Sequence, residues 1–320
     1  MPVVNTNYTF GFEAEFATDA SPLVVELHRL GFTGGNTLHN YTCDCEFCTV
    51  VLDNYDDGEP DLFHEDIWNL RAKYDSSCGG EVISKVFLNI EDAAPSFDAI
   101  EQSALSTDTE PGLQAGFHVH VERRHLTKDW RGRLVFAMTL WENVLFDIAA
   151  GRWPHNRGWN ISLLQLLSYQ YGQEADTMGI AYDSVNVELL EKMLADVTGT
   201  MQERLFYRSV ADSHQHVDRH STMAFSPRWP TMEFRLWNST RAAWRMELWC
   251  RLSRILADPT FIQMMLTNWS PDVTMQSFLD MTKTVMYEDR LNDLLTRQVD
   301  YVTNLRANNE TLHSMPFSQM

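Results

Sequence analysis

Three short stretches set chemically capable side chains two residues apart: Glu13 and Glu15 in GFEAEF, His118 and His120 in GFHVHVE, and Glu233 and Arg235 in MEFRLW. Along a β-strand, residues two apart lie on one face. The alternate positions around the first two pairs are apolar: Tyr8, Phe10, Phe12, Ala14 and Phe16, then Ala115, Phe117, Val119 and Val121. Each such strand therefore has one face for a core and one for chemistry. Glu81 opens a further strand. If these strands share a sheet, the polar faces form one wall of carboxylate, imidazole and guanidinium. Such a wall suits a hard divalent cation held by carboxylates and a phosphate or carboxylate gripped by arginine. A solvated sheet face is the plain alternative and would suit any single pair. Exposed strand faces, however, usually mix Thr, Lys, Ser and Arg, and like charges two apart destabilise a strand unless a cation neutralises them.

The elements that position these residues can be read from punctuation and period. Residues 8–16 predict a strand. A helix follows, with Ser21 as N-cap, Pro22 at its first position and Gly31 just past its end. Residues 33–65 read as an irregular insert. Gly79-Gly80 leads into a strand from Glu81 to Ile90, and 91–112, with acids, serines, Pro95 and Pro111, reads as loop. Ala115 to Arg123 is the next strand. A helix capped near Thr127 or Asp129 carries the stripe Leu134, Met138, Trp141, Leu145 and Ile148 and closes at Gly151. Residues 152–185 mix short helix and loop, and 186–210 read as helical. Residues 221–225 and 231–237 predict a hairpin. From Thr240 the chain reads as helical, with breaks near Asp258-Pro259 and Ser270-Pro271 and a frayed end from about Asn308. This is an α+β pattern. The expected layout is one catalytic domain over 1–257, with 258–320 as a helical extension packed on it.

Two clusters lie apart from the strands. His39, Cys43, Cys45 and Cys48 give H-x3-C-x-C-x2-C, four ligands in ten residues. They could close a tetrahedral zinc site, with His64 able to replace His39; reduced thiols in an insert are the alternative. Cys78 and Cys250 read as packing residues. His214, His216 and His220 could bind a metal, but read rather as an ordinary polar loop near the site mouth. Trp229, Trp237, Trp244 and Trp249 read mainly as core, with one of them able to stack on adenine.

Lys and Arg number 25 and Asp and Glu 44, a formal charge of −19. Such a surface repels nucleic acid and anionic lipid and is compatible with metal ions and amine-bearing substrates. No stretch approaches the ~20 apolar residues of a membrane span. The first residues show no basic region followed by an apolar run, and the odd, crowded cysteines suit a reducing compartment. A cytoplasmic, soluble protein is expected.

The pieces GFEAEF, SSCGGEVIS, AGFHVHV and TMEFRLWNST, in this order, resemble the amidoligase family of the glutamine synthetase and glutamate–cysteine ligase superfamily. The resemblance runs from about Tyr8 to Trp249. It implies a curved, mainly antiparallel sheet forming a glutamine-synthetase-like funnel with helices outside. It implies ATP and Mg²⁺ as cofactors and small-molecule or peptide amines and carboxylates as substrates. Glu13, Glu15, Glu81 and Glu233 match metal ligands. His118 matches a histidine near metal and nucleotide phosphates, with His120 the second candidate, and Arg235 matches a phosphate or substrate contact. Asp75 and Ser77 match the D-x-S element at the substrate edge. The chain departs from the family before its last strand, where His220-Ser221-Thr222-Met223-Ala224-Phe225 lacks an expected asparagine. Arg219 and Arg241 flank that strand as further phosphate candidates, and Lys85 and Arg152 are substrate candidates.

The activity so implied is an ATP-dependent carboxylate–amine ligase that works through an acyl phosphate, with a homo-oligomer compatible with it. The alternatives are a phosphotransferase on the same fold and a non-catalytic, zinc-stabilised binding or assembly protein.

Overall fold

The computed structural model describes residues 4–5, 7–38, 68–74, 78–112, 115–149, 163, 222–225, 230–285 and 289–307. Six strands are β1 (Phe10–Phe16), β2 (Leu70–Lys73), β3 (Gly80–Ser84), β4 (Gly116–Glu122), β5 (Met223–Phe225) and β6 (Thr231–Asn238). The helices among the described residues are α1 (Ser21–Arg29), α2 (Ile90–Thr107), α3 (Lys128–Ile148), α4 (Ala243–Leu256), α5 (Pro259–Asn268), α6 (Met275–Val285) and α7 (Asp289–Ala307). The strands form one sheet in the order β2-β3-β1-β4-β6-β5. β1 pairs antiparallel with β3 and β4, β2 with β3, and β5 with β6. The protein is therefore α+β, with an antiparallel sheet.

The chain packs as two units, whose described parts lie within 7–121 and 237–254 for one and 4–5, 122–236 and 255–309 for the other. The first holds β1, β2, β3, α1, α2 and nearly all of β4 and α4. Phe10, Phe12, Ala14 and Phe16 of β1 are all buried, as are Phe117, Val119 and Val121 of β4. Phe12 stacks on Phe117 with centroids 5.4 Å apart and tilts against Phe97 of α2 at 5.2 Å. Each fully buried aromatic or aliphatic side chain contributes about 1.5–3 kcal/mol, so this face commits β1 and β4 to one orientation. α4 packs with the same residues: the Arg254 guanidinium sits 5.1 Å from the Phe10 ring centroid and donates to the Tyr8 carbonyl at 3.1 Å. Trp237 stacks on Trp249 at 4.7 Å and its indole N–H donates to Ser253 Oγ at 2.8 Å.

The second unit is mainly helical. The apolar stripe of α3 is buried, and the Trp141 indole N–H donates to the Met265 carbonyl of α5 at 2.8 Å. The Gln298 amide of α7 donates to the Ile148 carbonyl at 2.7 Å. The breaks at Asp258-Pro259 and Ser270-Pro271 fall where expected, between α4 and α5 and between α5 and α6.

Four expectations need correction. Residues 90–107 are helix α2, not strand end and loop. Ile90, Ala93, Phe97, Ile100 and Ala104 recur at helical spacing and are buried. That burial outweighs the ~3 kcal/mol an internal proline costs, so Pro95 sits inside the helix. β3 accordingly ends at Ser84. β2 was missed because four residues, LRAK, are too short to show a period. At α1 the N-cap is Ala20, not Ser21, and the Asp19 carboxylate accepts from the Ser21 N–H at 2.9 Å. Thr127 does cap α3, its Oγ1 accepting from the Trp130 N–H. The zinc candidates His39, Cys43, Cys45, Cys48 and His64 lie outside the described residues, as do Asp75, Ser77, Gly151, Arg152, His214, His216, Arg219 and His220.

Candidate metal centre

Register decides which polar residues meet. Across the antiparallel β1–β4 pair, Glu13 stands opposite His118 and Gly11 opposite His120. Across β1–β3, Glu15 stands opposite Glu81, and across β2–β3, Lys73 stands opposite Glu81. Opposed residues in an antiparallel pair point to the same side. Lys73, Glu81, Glu15, Glu13, His118 and His120 therefore share the face that the phenylalanines do not use.

The glycine pair before Glu81 sets this register. The Gly79 N–H donates to the Phe16 carbonyl at 2.6 Å, and the Gly79 carbonyl accepts from Ala20 at 3.2 Å. A β-carbon at Gly79 would lie 1.9 Å from the Thr18 carbonyl oxygen. Only glycine lets the backbones pass this closely, and the passage brings Glu81 level with Glu15.

Within the face, the side chains form a graded cluster. His118 Nδ1 lies 3.2 Å from Glu13 Oε2, and His120 Nε2 lies 3.2 Å from Glu13 Oε1. His118 Nε2 lies 3.5 Å from Glu15 Oε1, and the Gly116 N–H donates to Glu15 Oε2 at 2.6 Å. His118, Glu15 and Glu81 are buried, whereas Glu13 and His120 keep about a quarter of their side-chain surface exposed (24% and 22%). Burial raises the Glu13 carboxyl. The charge of His120 and hydrogen bonds from His118 and His120 outweigh it and hold the group well below the usual carboxylate range. Glu13 is thus kept as an anion despite its enclosure.

Glu13 and His120 each offer one ligand atom to a common point, those atoms lying within 4.8 Å of each other. A carboxylate oxygen suits Mg²⁺, and an added imidazole nitrogen suits Mn²⁺ as well. The donors therefore fit the metal that the motifs imply.

On β6, Arg235 Nη1 donates to Glu233 Oε1, and both side chains are largely covered. The Arg235 N–H donates to the Thr222 carbonyl at 2.9 Å, which fixes the strand beside β5. Arg241 is buried just before α4. The Lys85 ammonium sits 5.6 Å from the Phe87 ring centroid, a residue of the apolar core. No contact among the described residues brings Lys85 to Glu13.

Sequence reading missed two contributors, and one buried acid of the other unit. Gly116 falls on the polar face by alternation, and its N–H donates there to Glu15. A glycine inside a strand marks a close approach, and that could have pointed to it. Lys73 went unseen with β2. Glu142, buried on α3, accepts from Thr222 Oγ1 at 2.9 Å and from the Leu163 N–H at 2.8 Å, and nothing in its helical context marked it.

No protein-family model matches the chain, and no curated protein matches it.

Proposed function

We propose that the protein is an ATP-dependent carboxylate–amine ligase. The observation that carries this reading is the cluster Glu13–His118–His120–Glu15 on one sheet face, formed by the motifs that resemble the amidoligase family. On that resemblance Glu81, Glu233 and Arg235 belong to the same machinery, and the sheet is the wall of a glutamine-synthetase-like funnel.

A bound Mg²⁺ would supply charge neutralisation for the phosphates of ATP, with Glu13 and His120 as its ligands here. A substrate carboxylate oxygen attacks the γ-phosphorus, the bond to ADP breaks, and an acyl phosphate forms. An amine then attacks the acyl carbon, phosphate leaves with the bonding electrons, and the amine gives up a proton. Phosphoryl transfer asks the protein mainly for position and charge. Glu13, held as an anion, offers a fixed negative site for the cation. Arg235 supplies a guanidinium for phosphate or substrate oxygen.

The test is an ADP-release assay with Mg²⁺-ATP over a panel of amines and carboxylates, with amide product identified by mass. Turnover needing both substrates supports the reading; ADP without carboxylate consumption assigns the phosphotransferase instead. No turnover, together with no ATP binding by calorimetry, overturns it. Glu13→Gln is expected to lower turnover about 100-fold or more while the circular dichroism spectrum stays unchanged.

A further inference from the structure

Glu15 uses both of its carboxylate oxygens within the protein. Oε2 accepts from the Gly116 N–H at 2.6 Å, and Oε1 lies 3.5 Å from His118 Nε2. The other ring nitrogen of His118 lies 3.2 Å from Glu13 Oε2. His118 is thus clamped between two carboxylates, and with Glu15 it lies beneath the surface, 5% and 7% exposed. The second oxygen of Glu13, Oε1, faces His120 on the more open side.

We propose that Gly116, Glu15 and His118 are positioning residues for Glu13 and are not themselves cation ligands, in contrast to the ligand role that the motif resemblance gives Glu15. The inference rests on the cation reading above. Gly116 is the base of the chain. A β-carbon there would lie 2.7 Å from His118 Nε2, 3.1 Å from His118 Cδ2 and 3.4 Å from Glu15 Oε2, so a side chain at this position would push the imidazole from its place. The imidazole passes the order of Glu15 to Glu13, fixing which carboxylate oxygen turns outward. A cation arriving from solvent meets Glu13 and His120 first. This is the arrangement in which an outer hydrogen bond sets the orientation of a ligand carboxylate.

The test uses the full chain with Mn²⁺ as probe. Affinity is read by electron paramagnetic resonance titration, and imidazole coordination by the nitrogen modulation of the electron spin echo. Wild type is expected to show coordinated nitrogen, and His120→Gln to lose it. His118→Gln and Gly116→Ala are expected to keep the nitrogen modulation while Mn²⁺ affinity falls about 10- to 100-fold. Glu15→Gln keeps the side-chain shape, and serves where Gly116→Ala fails to fold; it is expected to weaken Mn²⁺ and to move the Gly116 amide proton upfield. His120→Gln is expected to leave that proton in place. Nitrogen modulation lost in His118→Gln and kept in His120→Gln overturns this inference and leaves the cation reading standing. Affinity unchanged in a folded Gly116→Ala and in Glu15→Gln overturns it as well. A wild-type chain that binds no Mn²⁺, with or without ATP, overturns the cation reading and this inference together.

Discussion

Glu13 is pulled two ways: enclosure favours its neutral form, and His118 and His120 favour its anion, with the histidines prevailing. A carboxyl whose folded pKa is depressed stabilises the fold above its unfolded value, about 4.3, and that contribution is lost as pH falls through the lower folded value. In metal-free protein the urea midpoint is expected to drop as pH is lowered below about 4.3, and Glu13→Gln is expected to flatten part of that drop. An unchanged slope in the variant would remove Glu13 from the account. Cys250 makes the opposite case. Burial pushes its thiol well up, with Arg254 and Arg251 only partly opposing. It is expected to stay unmodified by a maleimide in the native protein and to react on unfolding, as mapped by mass spectrometry. Half-buried Cys78, whose S–H donates to the Gly80 carbonyl, is expected to react sooner.

At the scale of elements, Asp258 carries one helix start. Its Oδ1 accepts from the Thr260 N–H at 2.8 Å and the Phe261 N–H at 3.2 Å, while Oδ2 accepts from the Asn5 N–H at 3.1 Å. Asp258→Ala is expected to cost about 1–2 kcal/mol in urea unfolding, and Asp258→Asn much less. The break at Asp258-Pro259 was readable because cap and proline act locally. α2 was not, because its proline and its acids outvote an apolar stripe that shows its worth only when buried against Phe12 and its neighbours. β2 was hidden for a related reason: Arg71 and Lys73 look like surface residues until pairing with β3 places them on the polar face. The cysteine-rich element rests on its ligand spacing alone. Elemental analysis of purified protein is expected to give about one zinc per chain, and less than about half an equivalent would refute it.

Over the whole molecule, a net charge of −19 adds self-repulsion to the folded chain. Shortening the Debye length from ~30 Å at 0.01 M salt to ~8 Å at 0.15 M is expected to raise the melting temperature. A fall would show that local ion pairs such as Arg251 with Glu247 and Glu91 outweigh it. No helix among the described residues is long and apolar enough to cross a membrane. The sequence by itself determined the two faces of β1 and β4, because alternation is a property of one strand. It also determined that acid, imidazole and guanidinium would crowd one kind of face. Only tertiary structure decided the rest: that Glu13 meets His118 across 105 residues of chain, that Glu15 is spent on Gly116, and that His120 lies on the open side. These depend on the register of β1 against two partners at once. Register is set by long-range packing and by the passage of Gly79 past Thr18, and neither can be read from the spacing of residues within a strand.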